Sequence, residues 1–120
     1  MDASLCPLCP EHNLLKVPIL QETDTAYLIT AFKSPGNYLI IPKTHIEEIE
    51  GLPDNWWADV KKLLLAIPHG NNYNISISIG ELAGQTVGHI HFWIIPRNSN
   101  NKASGKGFAR LINEASGSPT

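Results

Sequence analysis

The sequence predicts an antiparallel α+β fold, on three observations. Short strand-like segments are separated by turn residues, one longer segment has helical periodicity, and strands and helices do not alternate as they do around a parallel sheet. The 120-residue length suits a single domain. We expect this domain at residues 1–97, followed by a polar, partly flexible tail at residues 98–120.

The first half of the chain predicts three strands. Apolar residues at 17–20 and 25–30 flank the polar stretch 21–24, which is typical of a hairpin. The sequence Ser-Pro-Gly-Asn at 34–37 predicts a turn. The apolar residues 38–41 then predict a short strand that Pro42 ends.

One helix is predicted in the middle of the chain, at residues 54–67. Asp54 is the expected N-cap, and Pro68 followed by Gly70 ends the segment. Apolar residues recur every three or four positions and predict a buried stripe, with Asp59, Lys61 and Lys62 off it; the stripe consists of Trp57, Val60, Leu64 and Ile67.

The second half predicts two more strands and a loop. Residues 73–79 alternate strictly, with four apolar side chains expected against a core and Asn74, Ser76 and Ser78 on the other face. A glycine-rich connection at 80–88 leads into a predicted strand, 89–95, that ends at Pro96. A short helix is predicted at 107–115 in the tail.

Composition excludes several classes of protein. A formal net charge of −2 gives no electrostatic reason to expect a nucleic acid or a membrane surface as partner. No apolar run approaches the roughly 18 residues of a membrane helix, and the acidic N-terminus does not resemble a secretion signal. We therefore expect a cytoplasmic protein whose cysteines stay reduced.

The two cysteines, Cys6 and Cys9, have the C-x-x-C spacing of a zinc knuckle. A tetrahedral structural site needs two further ligands, and spacing alone does not choose among the five histidines, His12, His45, His69, His89 and His91. A redox pair is the competing interpretation. That motif normally lies in a βαβ unit, which this sequence does not predict.

His89 and His91 project from the same face of the last predicted strand. A neutral imidazole can attack phosphorus and form a covalent intermediate, which divides one difficult displacement into two steps. The preceding loop offers backbone N–H groups, the Gln85 amide and the Thr86 hydroxyl as donors to phosphate oxygens. The alternative is that both histidines are surface or core residues without chemistry.

Two segments together resemble the histidine triad (HIT) superfamily of nucleotide hydrolases and transferases. They are Tyr-Leu-Ile-Ile-Pro-Lys-Thr-His-Ile-Glu-Glu-Ile at 38–49 and Gly-Gln-Thr-Val-Gly-His-Ile-His-Phe-Trp-Ile-Ile-Pro-Arg at 84–97. The resemblance covers roughly residues 5–97. It implies a five-stranded antiparallel sheet with one long helix and short helical segments, in a homodimer.

The resemblance also implies roles for individual residues. His91 matches the nucleophile that attacks the α-phosphate of a nucleotide. Gln85 and Thr86 match phosphate-binding residues, and Ser78 stands where many small members have asparagine near the phosphate. A zinc-containing branch, which includes galactose-1-phosphate uridylyltransferases, implies a structural zinc ion with four ligands, Cys6, Cys9, His45 and His89.

Departures from the family pattern leave the function open. Trp93 replaces the third histidine, and an indole donates one N–H but carries no proton to a leaving group. We expect either slow or differently assisted catalysis, or a substrate contact in which Trp93 forms a bulky stacking wall against a base. Residues 29–36 lack the carboxylate that many relatives use for the ribose. A nucleotidyl hydrolase or transferase is the leading interpretation; the alternatives are a nucleotide- or phosphate-binding module without turnover and a zinc-knuckle interaction domain.

Overall fold

A computed structural model describes residues 6–12, 14–31, 34–68, 71–85 and 87–97. The predicted tail and its helix at 107–115, together with His69 and Thr86, lie outside these residues. The strands and the helix follow in the order β1 (Gln21–Glu22), β2 (Ala26–Thr30), β3 (Tyr38–Pro42), α1 (Trp56–Leu65), β4 (Tyr73–Ile77) and β5 (Phe92–Pro96). Short 3-10 turns lie at Pro10–His12, Ile49–Gly51 and Glu81–Ala83.

The five strands form one antiparallel sheet with the order β1-β2-β3-β5-β4. This topology confirms the predicted α+β class. Each pair of chain neighbours from β1 to β3 is also a pair of sheet neighbours, while β5 lies between β3 and β4. The last strand is therefore central, and the residues just before it emerge in the middle of one end of the sheet.

The two faces of the sheet have different partners. On one face, the helix face, α1 covers a core that includes Leu28, Ile40 and Phe92. On the opposite face, the site face, a second cluster joins Cys6, Leu8 and Cys9 of the N-terminal segment to β2 and β3; its sheet members include Tyr27, Ile29, Leu39 and Ile41. The N-terminal segment thus takes the place of a second helix on the site face.

The helix is shorter than predicted and is rotated relative to the expected stripe. It begins at Trp56 after an N-cap at Asn55, whose side chain makes no capping hydrogen bond, so Asp54 is not the N-cap. Trp57 is 58% exposed, whereas Trp56 is fully buried. The stripe that faces the sheet is Trp56, Val60, Leu63 and Ile67.

Asp59 is buried although the sequence pattern places it off the stripe. Its carboxylate accepts hydrogen bonds from the backbone N–H and the hydroxyl of Thr25, and Lys62 lies 3.9 Å away. These hydrogen bonds, with the Thr25 hydroxyl first, lower the pKa of Asp59. The buried carboxylate therefore links α1 to the start of β2.

Three strand boundaries also differ from the prediction. The first hairpin turns at residues 23–25, because Gln21 and Glu22 pair with Leu28 and Tyr27. Strand β4 ends at Ile77 instead of residue 79, and three of the four apolar side chains predicted to lie against a core are exposed, Ile75 at 49%, because β4 is an edge strand. Strand β5 begins at Phe92, since the preceding backbone bonds elsewhere, with the Ile90 N–H donating to the Ile46 carbonyl.

Candidate functional site

Four potential metal ligands meet where the N-terminal segment crosses the site face. The ligand atoms of Cys6, Cys9, His45 and His89 all lie within 4.8 Å of one another. Nδ1 of His89 lies 3.3 Å from Sγ of Cys6 and 3.5 Å from Sγ of Cys9, and Nδ1 of His45 lies 3.3 Å from Sγ of Cys9. The structure therefore brings together the four residues predicted to form the metal site.

The donor set and its spacing fit a tetrahedral zinc ion. Zinc–sulfur bonds of about 2.3 Å and zinc–nitrogen bonds of about 2.0 Å place neighbouring ligand atoms about 3.5 Å apart. Two thiols and two imidazoles at 3.3–3.5 Å match that separation. The group is able to bind a metal ion, and its ligands are those that zinc prefers in closed structural sites.

A backbone carbonyl fixes the tautomer of His89. Nε2 of His89 donates a hydrogen bond to the Pro42 carbonyl at 2.8 Å, because a carbonyl oxygen can only accept. The lone pair is therefore on Nδ1, which faces the two sulfur atoms. Burial, opposed by this hydrogen bond, lowers the pKa of His89 to about 4, so the imidazole is neutral as a metal ligand requires.

Both cysteines are buried, and the surroundings of Cys9 disfavour its thiolate unless a cation is present. Burial, and then the adjacent Cys6, raises the pKa of Cys9 to about 12. Tyr27, whose hydroxyl donates to the Leu8 carbonyl, has a pKa raised above its usual value by burial and by both cysteines. A divalent ion would supply the positive charge that these groups lack.

The other histidines near the N-terminus have different partners. Nδ1 of His12 donates to the Cys6 carbonyl at 2.8 Å, so His12 supports the backbone of the metal group and is not one of its four ligands. The remaining ring nitrogen of His45, Nε2, lies 3.8 Å from Oε2 of Glu47. The Glu47 carboxylate thus lies next to a ligand of the metal group.

A second group of polar residues lies at the end of the sheet from which β5 begins. In the ladder, Ser76 faces Trp93 and Ile77 faces Phe92, which is the last pair at this end, so Ser78 and His91 each lie one residue beyond it. Gly84 has a φ of +96°, and a Cβ atom there would lie 3.9 Å from Oγ of Ser78. The loop between β4 and β5 therefore returns to Ser78.

Gln85 presents an unused donor in that loop. Its Oε1 accepts a hydrogen bond from the Gly80 N–H at 2.7 Å, which identifies the other terminal atom as nitrogen. This Nε2 is buried and has no hydrogen-bond partner within the described ranges. A buried donor without a partner costs roughly 1–3 kcal/mol, so the position favours an acceptor such as a phosphate oxygen.

His91 has the opposite tautomer from His89. Its Nδ1 donates to the backbone carbonyl of His89 at 2.9 Å, which leaves the lone pair on Nε2. The side chain is only partly buried. Because Ile90 and Phe92 both face the helix core, His91 lies on the site face, as the sequence predicted. The two carbonyls that fix these tautomers have no signal in the sequence, and sequence reasoning missed them.

Trp93 follows His91 on the same face. It is partly buried, packs against the site-face cluster, and lies between Leu39 on β3 and Ser76 on β4. The indole is thus held by the sheet on both sides. The remaining predicted phosphate-binding residue, Thr86, lies outside the described residues.

Comparison with known proteins identifies the fold. The HIT domain model matches residues 17–100. The chain belongs to the HIT domain family. Among its HIT relatives is the adenosine 5'-monophosphoramidase of Schizosaccharomyces pombe, which is 36% identical over 100 residues, covering 77% of this chain and 74% of that protein.

Two further HIT proteins extend the comparison. An uncharacterized HIT-like protein of Methanocaldococcus jannaschii is 36% identical over 88 residues, covering 68% of each chain. The structure of a Zn-bound histidine triad family protein from Mycobacterium smegmatis has a TM-score of 0.66 and 24% identity, covering 97% of this chain and 99% of that one. At 24% identity, the match to the Mycobacterium smegmatis structure shows a shared fold alone. Within the described ranges, no helix of this HIT protein is long and apolar enough to cross a membrane.

Proposed function

We propose that this HIT protein is a nucleotide-phosphate hydrolase or nucleotidyltransferase that acts through a covalent intermediate on His91. The observation that carries the proposal is the hydrogen bond from Nδ1 of His91 to the His89 carbonyl, which leaves Nε2 as the ring nitrogen that can attack phosphorus. Membership of the HIT family and similarity to a named monophosphoramidase support it.

The reaction would proceed in two displacements. Nε2 of His91 attacks the α-phosphorus, a P–N bond forms, and the bond to the leaving group breaks with its electron pair on the departing atom. The positive charge that develops on the imidazole is stabilised through Nδ1–H by the His89 carbonyl. Water, or another acceptor in a transferase, then attacks phosphorus, and the P–N electron pair returns to Nε2.

The loop residues would hold the transferred phosphate. Nε2 of Gln85, which has no partner among the described residues, would donate to a non-bridging oxygen. Ser78, at the end of β4, would supply a shorter hydroxyl donor, and Thr86 keeps its predicted role beside Gln85. Trp93 would form a wall of the site next to the leaving group.

A zinc ion would have a structural role. Cys6, Cys9, His45 and His89 would hold it as four closed ligands, with no position left for substrate. When bound, the ion would fix the backbone of the N-terminal segment against β3 and β5. This fixes the His89 carbonyl, and through it the ring of His91.

The decisive experiment is intact-mass detection of an adduct on His91. A panel of nucleoside phosphoramidates and dinucleoside polyphosphates is mixed with the parent and with His91→Ala, and both adduct and product are measured. The parent should gain a nucleotidyl group from at least one class of substrate in the panel, and the variant should form no adduct and lose at least about 10³-fold in rate on that class. A His91→Ala protein that hydrolyses these substrates as fast as the parent would refute the proposal.

The second candidate is a nucleotide- or phosphate-binding module without turnover. Trp93 favours it, because this partly buried indole has replaced a group that could carry a proton. Binding across the nucleotide panel without product, unchanged in Trp93→His, would support this reading over the enzymatic one.

We also propose a homodimer in the cytoplasm. The helix and the edge strand leave apolar side chains exposed, with Trp57 at 58%, Leu65 at 77% and Ile75 at 49%. A second copy covering α1 and β4 would bury them. Light scattering should give twice the chain mass, and Trp57→Lys together with Ile75→Lys should give a monomer. The cytoplasmic location and the boundary at residue 97 remain predictions from sequence.

A further inference from the structure

Trp93 is the next side chain after His91 on the site face. Side chains two residues apart on one face of a strand lie roughly 7 Å from each other, so the indole is within reach of a group bound to the phosphorus that His91 would attack. Leu39 and Ser76 border it across the sheet, and it packs against the site-face cluster. The indole is therefore a fixed wall of the site.

The described residues around His91 supply no obvious acid. Ser76, Ser78 and the Gln85 amide can donate hydrogen bonds, but they do not ionise near neutral pH and are therefore poor general acids. His89 is buried, with one ring nitrogen on the Pro42 carbonyl and the other facing the cysteines. Glu81 is in the loop but is exposed to solvent. The described part of the site can therefore position and stabilise a phosphate, and none of its residues is placed to protonate the group that departs.

This arrangement constrains the leaving group. An oxygen whose conjugate acid is strong can depart as an anion with the electron pair of its P–O bond, and no proton is required. An amine can depart from phosphorus only after its nitrogen has gained a proton. Loss of a general acid typically costs 10²–10⁴-fold in rate, and the loss falls on leaving groups that need protonation.

We propose that Trp93 restricts this protein to nucleotide derivatives with acidic leaving groups, which are phosphoanhydrides, acyl phosphates and aryl esters, and excludes alkyl phosphoramidates and alkyl esters. The inference rests on the proposed function of His91. In the first step the P–N bond to His91 forms and the P–O bond breaks, with the negative charge on the departing oxygen. In the second, water attacks phosphorus, Nε2 regains its electron pair, and the proton of water passes to solvent.

The test is a leaving-group series. Adenosine 5'-aryl phosphates with phenols of graded acidity, one alkyl ester and one alkyl phosphoramidate are assayed with the parent, Trp93→His and Trp93→Phe. For the parent, log kcat/KM should fall steeply as the phenol becomes less acidic. Trp93→His should flatten that slope and raise the phosphoramidate rate by at least about 10²-fold, with the nitrophenyl ester changed by less than about threefold. Trp93→Phe, which keeps an aromatic ring without a transferable proton, should keep the parental slope.

The outcomes separate this inference from the function on which it rests. A His91 adduct with every substrate and a shallow parental slope would overturn the inference and leave the function intact. A Trp93→His protein that accelerates all substrates equally would also overturn it, because Trp93 would then act only by blocking access. If the parent formed no His91 adduct even from the adenosine 5'-nitrophenyl phosphate, the most reactive ester of the series, both the inference and the proposed function would be refuted. The parental slope alone is decisive if a variant fails to fold.

Discussion

His89 and His91 are the same residue type two positions apart, and their surroundings have made them chemically different. His89 is fully buried, donates from Nε2 to Pro42, and faces two cysteines with Nδ1. His91 is partly exposed, donates from Nδ1 to His89, and has its lone pair on Nε2. One backbone carbonyl for each ring is thus enough to distinguish the proposed metal ligand from the proposed nucleophile.

The largest expected effect separates stability from reactivity. His89→Ala should lose the bound metal and lower the free energy of unfolding by more than about 3 kcal/mol, because a closed site opens in the core. His91→Ala should retain the metal and lose only about 1 kcal/mol, from one partly exposed hydrogen bond. Elemental analysis and urea denaturation measure both. Equal metal content and stability in the two variants would contradict the distinction.

The next effect is on reactivity alone, at the end of the sheet from which β5 begins. Gln85→Leu removes the buried donor and should slow adduct formation on His91 by about 10²-fold, while the metal content stays at the parental level. Glu81→Gln, an exposed change in the same loop, is the matched control and should leave the rate unchanged. A Gln85→Leu protein that also loses metal would mean that the two groups are not independent.

Much of this arrangement could be predicted from sequence, and the parts that failed have physical reasons. The sheet, the helix and the four metal ligands were predicted, but the choice of His45 over His12 came from a family resemblance and not from spacing. His45 is 36 residues from Cys9 along the chain, so local spacing does not connect the two. Helical periodicity could not decide between Trp56 and Trp57, because a stripe that starts at either residue has three- to four-residue spacing. In the structure both rings lie against Phe92, with ring centroids at 5.5 and 5.6 Å.

Long-range hydrogen bonds account for the other misses. Asp59 is buried because Thr25, 34 residues earlier, satisfies its carboxylate. Strand β5 starts at Phe92 because the Ile90 N–H bonds to Ile46. Local patterns carry information about neighbours in sequence, and these partners are distant in it.

A smaller effect tests acid sensitivity on the helix face, away from both histidines. The lowered pKa of Asp59 means that the unfolded chain takes up a proton first as the pH falls, so its stabilisation is full above about pH 4 and is lost below, through the folded pKa. Asp59→Asn should lower the free energy of unfolding by about 2 kcal/mol at pH 7, and the difference from the parent should shrink towards pH 3. Asp54→Asn, at an exposed position, should show no such difference. A difference that stays constant with pH would exclude the ionised carboxylate as its source.

The smallest effect is on metal affinity, from a residue that contacts the metal group but is not one of its ligands. Nδ1 of His12 donates to the Cys6 carbonyl at 2.8 Å, so His12→Ala removes a hydrogen bond that orients the first ligand without removing a ligand. Outer partners of this kind typically contribute 10–100-fold in metal affinity, and this partly exposed one should lie at the low end, about tenfold. Competition with a chromogenic zinc chelator measures the change, with Glu50→Ala as an exposed control. If His12→Ala instead removed the metal entirely, metal binding by the four-ligand group that contains His89 would depend on a fifth residue. The four-ligand description of the site would then be incomplete.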